Sequence, residues 1–223
     1  MSERVVAVVP VKRLDRALMR LAGAIDAPGR RALQEAMLAD VLHACAASPR
    51  LEATVVVTSD PDAAAIARAH AARVVPDHTP PKGIDAAVAL GLDAADAEGA
   101  GAALVLFADL PLLTPADVAA VIDAAPAEPV TIAVSRDGTG TNALLMRPPS
   151  AMTPALGPGS LARHRDRAAH LGIALRTVDL PGLTLDVDTP DDLAAFLAAA
   201  HPCAALAACE RLGLGRRITA GAC

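Results

Sequence analysis

Short runs of β-branched apolar residues alternate with longer Ala-rich stretches along this chain, and few architectures accept that rhythm. RVVAVVPV (4–11) is apolar almost throughout, as a strand covered on both faces must be. The next stretch, 27–48, carries Leu33, Met37, Val41 and Cys45 on one helical stripe. Strands are expected over 51–59, 72–77, 102–113 with its exit, 129–136, 143–148, 174–180 and 183–188. Helices are expected over 61–72, from 84 to about 96, and over 115–124, 160–171, 189–200 and from 203 onward. Asp60, Thr114 and Thr189 stand just before Pro61, Pro115 and Pro190. Each pair supplies a capping side chain followed by a proline at the first helical position.

Strand–helix alternation predicts an α/β fold with a mostly parallel sheet, right-handed crossovers and helices on both faces. The second half reads as more antiparallel, so mixed pairing is expected at one edge. Residues 1–200 form the main domain in this reading, and 201–223 a C-terminal helix and tail of that same domain. In such sheets ligands bind beyond the carboxyl ends of the strands. The residues of interest are therefore those where strands finish.

Composition narrows the partners. The chain has two Phe, no Trp and no Tyr, so stacking platforms for nucleic-acid bases are lacking. A net charge of -5 gives no broad attraction to nucleic acid or to an anionic membrane. The apolar N-terminal run meets Lys12-Arg13 too early for a signal peptide or a membrane span. Cys45, Cys203, Cys209 and Cys223 form no C-x-x-C pair and match no zinc spacing. They read as reduced thiols of a cytoplasmic protein. A homodimer is left open.

Three carboxylates stand where strands are expected to end. Asp109 lies in LFADLPLLT, and Asp186 and Asp188 flank one Val in LTLDVDTPDDL. Residues two apart share one face of a strand, and two like charges that close call for a cation between them. Taken together, the three suit one or two Mg²⁺ ions, which take oxygen ligands and bridge phosphates. The structural alternatives are an Asp109 bonded to loop amides and an Asp188 that supports the turn into the next helix. The loop after the first strand carries Lys12, Arg13, Arg16 and Arg20, either a phosphate cradle or a solvated basic loop. GTGTN (138–142) offers close backbone approach and the hydroxyls of Thr139 and Thr141. In GPGSLARHR (157–165), Gly157 and Ser160 stand at a helix N-terminus suited to an anion. Two anion sites beside a carboxylate set imply two phosphorylated substrates and Mg²⁺.

VPVKRL…RLA, FADLPLLT, GTGTNALLMRPP, GPGSLARHR and LDVDTPDDL occur in this order, and together they resemble the 2-phospho-L-lactate guanylyltransferase family. The resemblance runs from about Val5 to Ala198. It implies a nucleotidyltransferase of glycosyltransferase-A-like fold, working in biosynthesis of the deazaflavin coenzyme F-420. The implied reaction moves a guanylyl group from GTP to 2-phospho-L-lactate, phosphoenolpyruvate or 3-phospho-D-glycerate, releasing pyrophosphate. By position, Lys12, Thr141, Gly157 and Ser160 hold the phospho-acid. Asp109, Asp186 and Asp188 hold Mg²⁺. Pro10, Lys12, Arg20 and Asp85 face the nucleotide, and Lys12, Arg20 and Asp109 act in the reaction. Leu18 stands where the family pattern has a second Lys, and Asp85 where it has Asn. Another nucleotide or acceptor on the same fold, or a pocket that binds without turnover, are the alternatives.

Overall fold

Seven strands form one sheet in the computed structural model, which describes residues 3–78 and 83–215. They are β1 (Val5–Val11), β2 (Ala53–Thr58), β3 (Arg73–Pro76), β4 (Ala102–Leu106), β5 (Val130–Val134), β6 (Thr141–Met146) and β7 (Leu175–Val178). The helices are α1 (Ala27–Ala47), α2 (Pro61–Ala69), α3 (Ile84–Ala97), α4 (Pro115–Asp123), α5 (Ser160–Leu171), α6 (Pro181–Thr184), α7 (Pro190–Ala199) and α8 (Ala204–Arg211). Two single 3-10 turns, Leu14–Arg16 and Met19–Leu21, shape the loop after β1.

The strand order is β3-β2-β1-β4-β6-β5-β7. β1 pairs in parallel with β2 and β4, β2 with β3, and β5 with β7. β6 pairs antiparallel with both β4 and β5, so it alone runs against the rest. The expected mixed pairing is therefore present, but inside the sheet rather than at an edge. The consequence is functional. Because β6 is reversed, its first residues, Thr141 and Asn142, lie at the sheet end where β1 and β4 finish.

Successive residues of each strand feed opposite layers, as the pleat requires. Val5, Ala7, Val9, Leu104 and Leu106 pack with Leu38, Val41 and Leu42 of α1, Ala63 and Ala67 of α2 and Val118, Val121 and Ile122 of α4. Val6, Val8, Val55, Val57, Ala103 and Val105 pack with Val88, Leu92 and Ala95 of α3 and Leu161 and Ala168 of α5. α3 lies so close to β1 that a Cβ at Gly91 would come within 2.3 Å of Val8 Cγ1. A third core joins Leu18, Leu21, Leu33 and Met37 to Val187, Leu193, Phe196, Ala205 and Cys209. α8 is seated there by Asp40, which accepts from the amides of Ala204 and Ala205 at 2.8 Å each. Leu33, Met37, Val41 and Cys45 are buried on the expected stripe. Cys223 lies outside the described residues, and the other three cysteines are free thiols. No single helix among the described residues is long and apolar enough to cross a membrane.

The strand expected over 183–188 is absent. Pro181 has no amide for a ladder and starts the short helix α6. The chain then runs extended but outside the sheet to Thr189, which caps α7 together with Asp192 in a capping box. Asp186 and Asp188 are thus on a crossing segment rather than at a strand end. Within the 102–113 reading of a strand and its exit, β4 ends at Leu106, and the chain turns at Ala108–Asp109 with Pro111 following.

Candidate active site

The carboxyl ends of β1 and β4 open into a cleft of about 320 Å³. Pro10, Val11 and Lys12 come to it from β1, and Phe107, Ala108 and Asp109 from the turn after β4. Arg16, Leu18, Met19 and Arg20 form the wall contributed by the loop after β1, and Asp188 faces them. That loop is pinned at its base. Buried Asp60 accepts from the Leu14 amide at 2.9 Å while capping α2 through the amides of Asp62 and Ala63.

The Val187 amide donates to the Asp109 carbonyl at 2.9 Å, so the crossing segment lies directly over the turn after β4. This bond brings the three carboxylates together although no strand carries two of them. Asp109 Oδ1 is buried and has no hydrogen-bond partner among the described residues. Burial pushes the Asp109 carboxyl up to about 7, Asp186 and Asp188 push the same way, and Lys12 opposes them. Burial also raises Asp186, against the pull of Asn142, whose Nδ2 donates to Asp186 Oδ1 at 3.1 Å. Asp188 pairs with Arg20, Nη1 to Oδ2 at 2.8 Å, on the open side of the cleft.

Among the described residues no three His, Cys, Asp or Glu side chains converge closely enough to hold a metal unaided. Mg²⁺ does not need that, since it keeps waters and substrate phosphates and uses one or two carboxylates. A buried carboxylate oxygen with no donor, beside two further carboxylates, fits such an ion. Asp109 would be the best placed ligand, with Asp186 and Asp188 acting on it from nearby.

Thr141, Gly157 and Ser160 do not line this cleft; the Thr141–His164 bond and the Thr139 carbonyl, which accepts from the Leu161 amide, tie the start of the reversed β6 to the start of α5. Gly157 and Gly159 take positive φ values of 93° and 68°, as only glycine does readily. Arg163 donates to the carbonyls of Ala155, Leu156, Gly157 and Pro158. Turning those carbonyls onto one guanidinium leaves amides toward the opposite side. No hydrogen bond among the described residues uses the amide of Gly157 or Gly159. Asp85 is tied to the same loop, its Oδ1 accepting from the Leu156 amide at 2.8 Å.

Leu18 takes a left-handed backbone, φ 53°, and buries its side chain in the third core. An apolar anchor, not a cation, therefore holds this part of the loop, with Arg16 and Arg20 on either side. Arg13 turns away to Asp15. Lys82, the other cation near the cleft in sequence, lies outside the described residues.

Sequence reasoning gave no role to three buried polar residues. Gln34 of α1 donates to the Ala108 carbonyl at 2.7 Å and fixes the turn that presents Asp109. Asn142 holds Asp186. His164 is fully buried and bonds both Thr141 and the Ala155 amide. A Gln inside the Leu33–Met37 stripe, and a His one turn into α5, are the only local signals.

The family described as guanylyl transferase CofC like matches residues 5–206. A phosphoenolpyruvate guanylyltransferase of Conexibacter woesei is 41% identical over 85% of this chain and 86% of its own length. One of Sphaerobacter thermophilus is 39% identical over 84% of this chain and 90% of its own. Among solved structures, a chain of Desulfovibrio desulfuricans called a nucleotide-diphospho-sugar transferase superposes with a TM-score of 0.80, at 12% identity, over 98% of both chains. A 4-diphosphocytidyl-2C-methyl-D-erythritol synthase superposes with a TM-score of 0.63, at 16% identity, over 90% of this chain and 100% of that one. The last two share the fold, the expected α/β architecture with a mostly parallel sheet. The sequence likeness goes further: this chain belongs to the guanylyl transferase CofC-like family.

Proposed function

We propose that this protein transfers the guanylyl group of GTP to a three-carbon phospho-acid with release of pyrophosphate, in a Mg²⁺-dependent reaction of deazaflavin coenzyme biosynthesis. Phosphoenolpyruvate, the acceptor in the names of the relatives, is the acid to expect. The observation that carries this reading is the unpartnered Asp109 oxygen flanked by Asp186 and Asp188 and faced by Lys12, Arg16 and Arg20. Carboxylates on one wall and cations on the other suit a triphosphate bound with a divalent ion.

A phosphate oxygen of the acid attacks the α-phosphorus of GTP. The new P–O–P bond forms as the α–β bridge breaks, and pyrophosphate leaves with the electron pair. A phosphate monoester is largely dianionic at neutral pH, so no side chain has to remove a proton. The protein's part is alignment and charge neutralisation. Lys12, at the end of β1, faces the phosphates of both substrates. Arg20 and Arg16 face the outer phosphates of GTP, and Pro10 and Asp85 flank the nucleotide. The Gly157–Ser160 turn and Thr141 hold the acid. Asp109, with Asp186 and Asp188, would hold Mg²⁺, which when bound would supply Lewis-acid neutralisation of phosphate charge.

³¹P NMR of the reaction tests this reading. The acid's phosphate resonance should convert to a pyrophosphoryl diester while free pyrophosphate grows in equal amount. GDP with inorganic phosphate would mean hydrolysis at the γ-phosphorus, GDP with a diphosphorylated acid would mean transfer of that phosphoryl group, and either would contradict it.

A further inference from the structure

His164 is fully buried on the inner face of α5, and both its ring nitrogens are engaged. The Ala155 backbone N–H donates to Nε2 at 2.9 Å. A backbone amide can only donate, so Nε2 carries no proton. In the neutral ring the proton is then on Nδ1. Nδ1 lies 3.1 Å from Thr141 Oγ1, so the imidazole donates to that hydroxyl. A hydroxyl that accepts there has its own single proton free to point elsewhere. The opposite tautomer would reverse this: Thr141 would donate to the ring and offer only lone pairs outward.

We propose that His164 is a positioning residue: by donating from Nδ1 it sets the Thr141 hydroxyl to donate to the anionic oxygens of the acceptor. The proposal rests on the reading of Thr141 as an acceptor ligand. It adds why a buried imidazole stands there, and why the acceptor must present a hydrogen-bond-accepting oxygen to Thr141. One side chain joins β6, through Thr141, to the glycine-rich turn, through Ala155, so both halves of the acceptor site share one reference point. The surroundings keep the ring neutral. Burial disfavours a charged ring, Arg167 and Arg163 of α5 act the same way, and Asp85 of α3 opposes them.

Two variants separate the ring's two bonds. The shorter amide of His164→Asn reaches the position of Nδ1, where its NH₂ group can donate to Thr141. The longer amide of His164→Gln reaches the position of Nε2, where its oxygen can accept from the Ala155 amide. His164→Gln should therefore keep the bond to Ala155 and lose the donor to Thr141. It should raise the acceptor KM by about three- to tenfold, the range of one neutral hydrogen bond, and leave the GTP KM alone. His164→Asn should restore most of the acceptor KM. Equal effects of both variants, or equal shifts in both KM values, would show a merely structural histidine and overturn the proposal. Thr141→Val controls the underlying reading. If it leaves the acceptor KM unchanged, the acceptor assignment fails and the proposal with it. If it raises that KM while His164→Gln does not, the acceptor site stands and the proposal alone falls. Independently of any substrate, ¹⁵N–¹H correlation of the imidazole should show the proton on Nδ1, and a proton on Nε2 would refute the mechanism.

Discussion

The amide of Val187 lies 2.9 Å from the carbonyl of Asp109, and this bond is what assembles the carboxylate set. One partner belongs to the turn after β4 and the other to a segment far along the chain, beyond β7. Val187 is buried in the third core, so its two Asp neighbours are held at the cleft by packing rather than by a strand.

Close carboxylates with no metal ion between them are a liability to the free protein. Asp109 has its carboxyl raised to about 7 from an ordinary 3.8, so between those values the folded state binds the extra proton. Stability then falls as pH rises through that window. Asp109→Asn should abolish turnover yet stabilise the metal-free protein at pH 8, by about 2 kcal/mol after discounting for solvent at the outer oxygen. Thermal melts at pH 5 and pH 8, with and without Mg²⁺, check it. Mg²⁺ should raise Tm more at pH 8 than at pH 5, and the variant should lose that gain.

The Arg20–Asp188 pair is open to solvent, with side chains 66% and 40% exposed. Such pairs contribute only about 0–1 kcal/mol, so incoming phosphate and Mg²⁺ can separate them readily. Arg20→Gln should raise the GTP KM roughly tenfold, as loss of a charge-assisted bond does. The acceptor KM should move little. Steady-state kinetics at two ionic strengths measure this, and the penalty should shrink at high salt.

Much of the frame is legible in the sequence because its signals are local. The caps at Asp60, Thr114 and Thr189, the proline that follows each, and the α1 stripe all depend on residues within one turn. The 183–188 segment misleads because Leu-Thr-Leu-Asp-Val-Asp alternates like a strand, while Pro181 and the bond to Asp109 draw it off the sheet. Asp109, Asp186 and Asp188 stand out as residues, but the contact that unites them has no local signature. The same holds for Gln34 on Ala108 and Asn142 on Asp186. The reversed β6 inserted between β4 and β5 is what puts Thr141 at the ligand end, and strand order is not written in any short stretch.

Ser160 sits 2% exposed at the start of α5, where the Gly157 turn ends. Ser160→Ala should raise the acceptor KM about three- to tenfold through one lost neutral hydrogen bond, with the GTP KM unchanged. Initial rates at saturating GTP show whether the effect divides this way.

His164 is held neutral, with its pKa pushed down to about 4 from 6.5, chiefly by burial and then by Arg167 and Arg163, against Asp85. The folded state therefore binds fewer protons than the unfolded state between those values, and stability rises with pH across them. Acidification from about pH 6.5 to 4 should cost up to about 3 kcal/mol through this residue. Urea titrations of the wild type and His164→Gln should show that slope flattened in the variant.

The most direct test of the account is pyrophosphate release over a grid of nucleotides and acids. GTP, ATP, CTP and UTP are crossed with phosphoenolpyruvate, 2-phospho-L-lactate, 3-phospho-D-glycerate and no acceptor, each with Mg²⁺ and with EDTA. The account predicts turnover with GTP and one acid, phosphoenolpyruvate first, only with Mg²⁺, and none in Asp109→Asn. Turnover confined to another nucleotide, turnover that survives EDTA, or silence in every well from folded protein would contradict it.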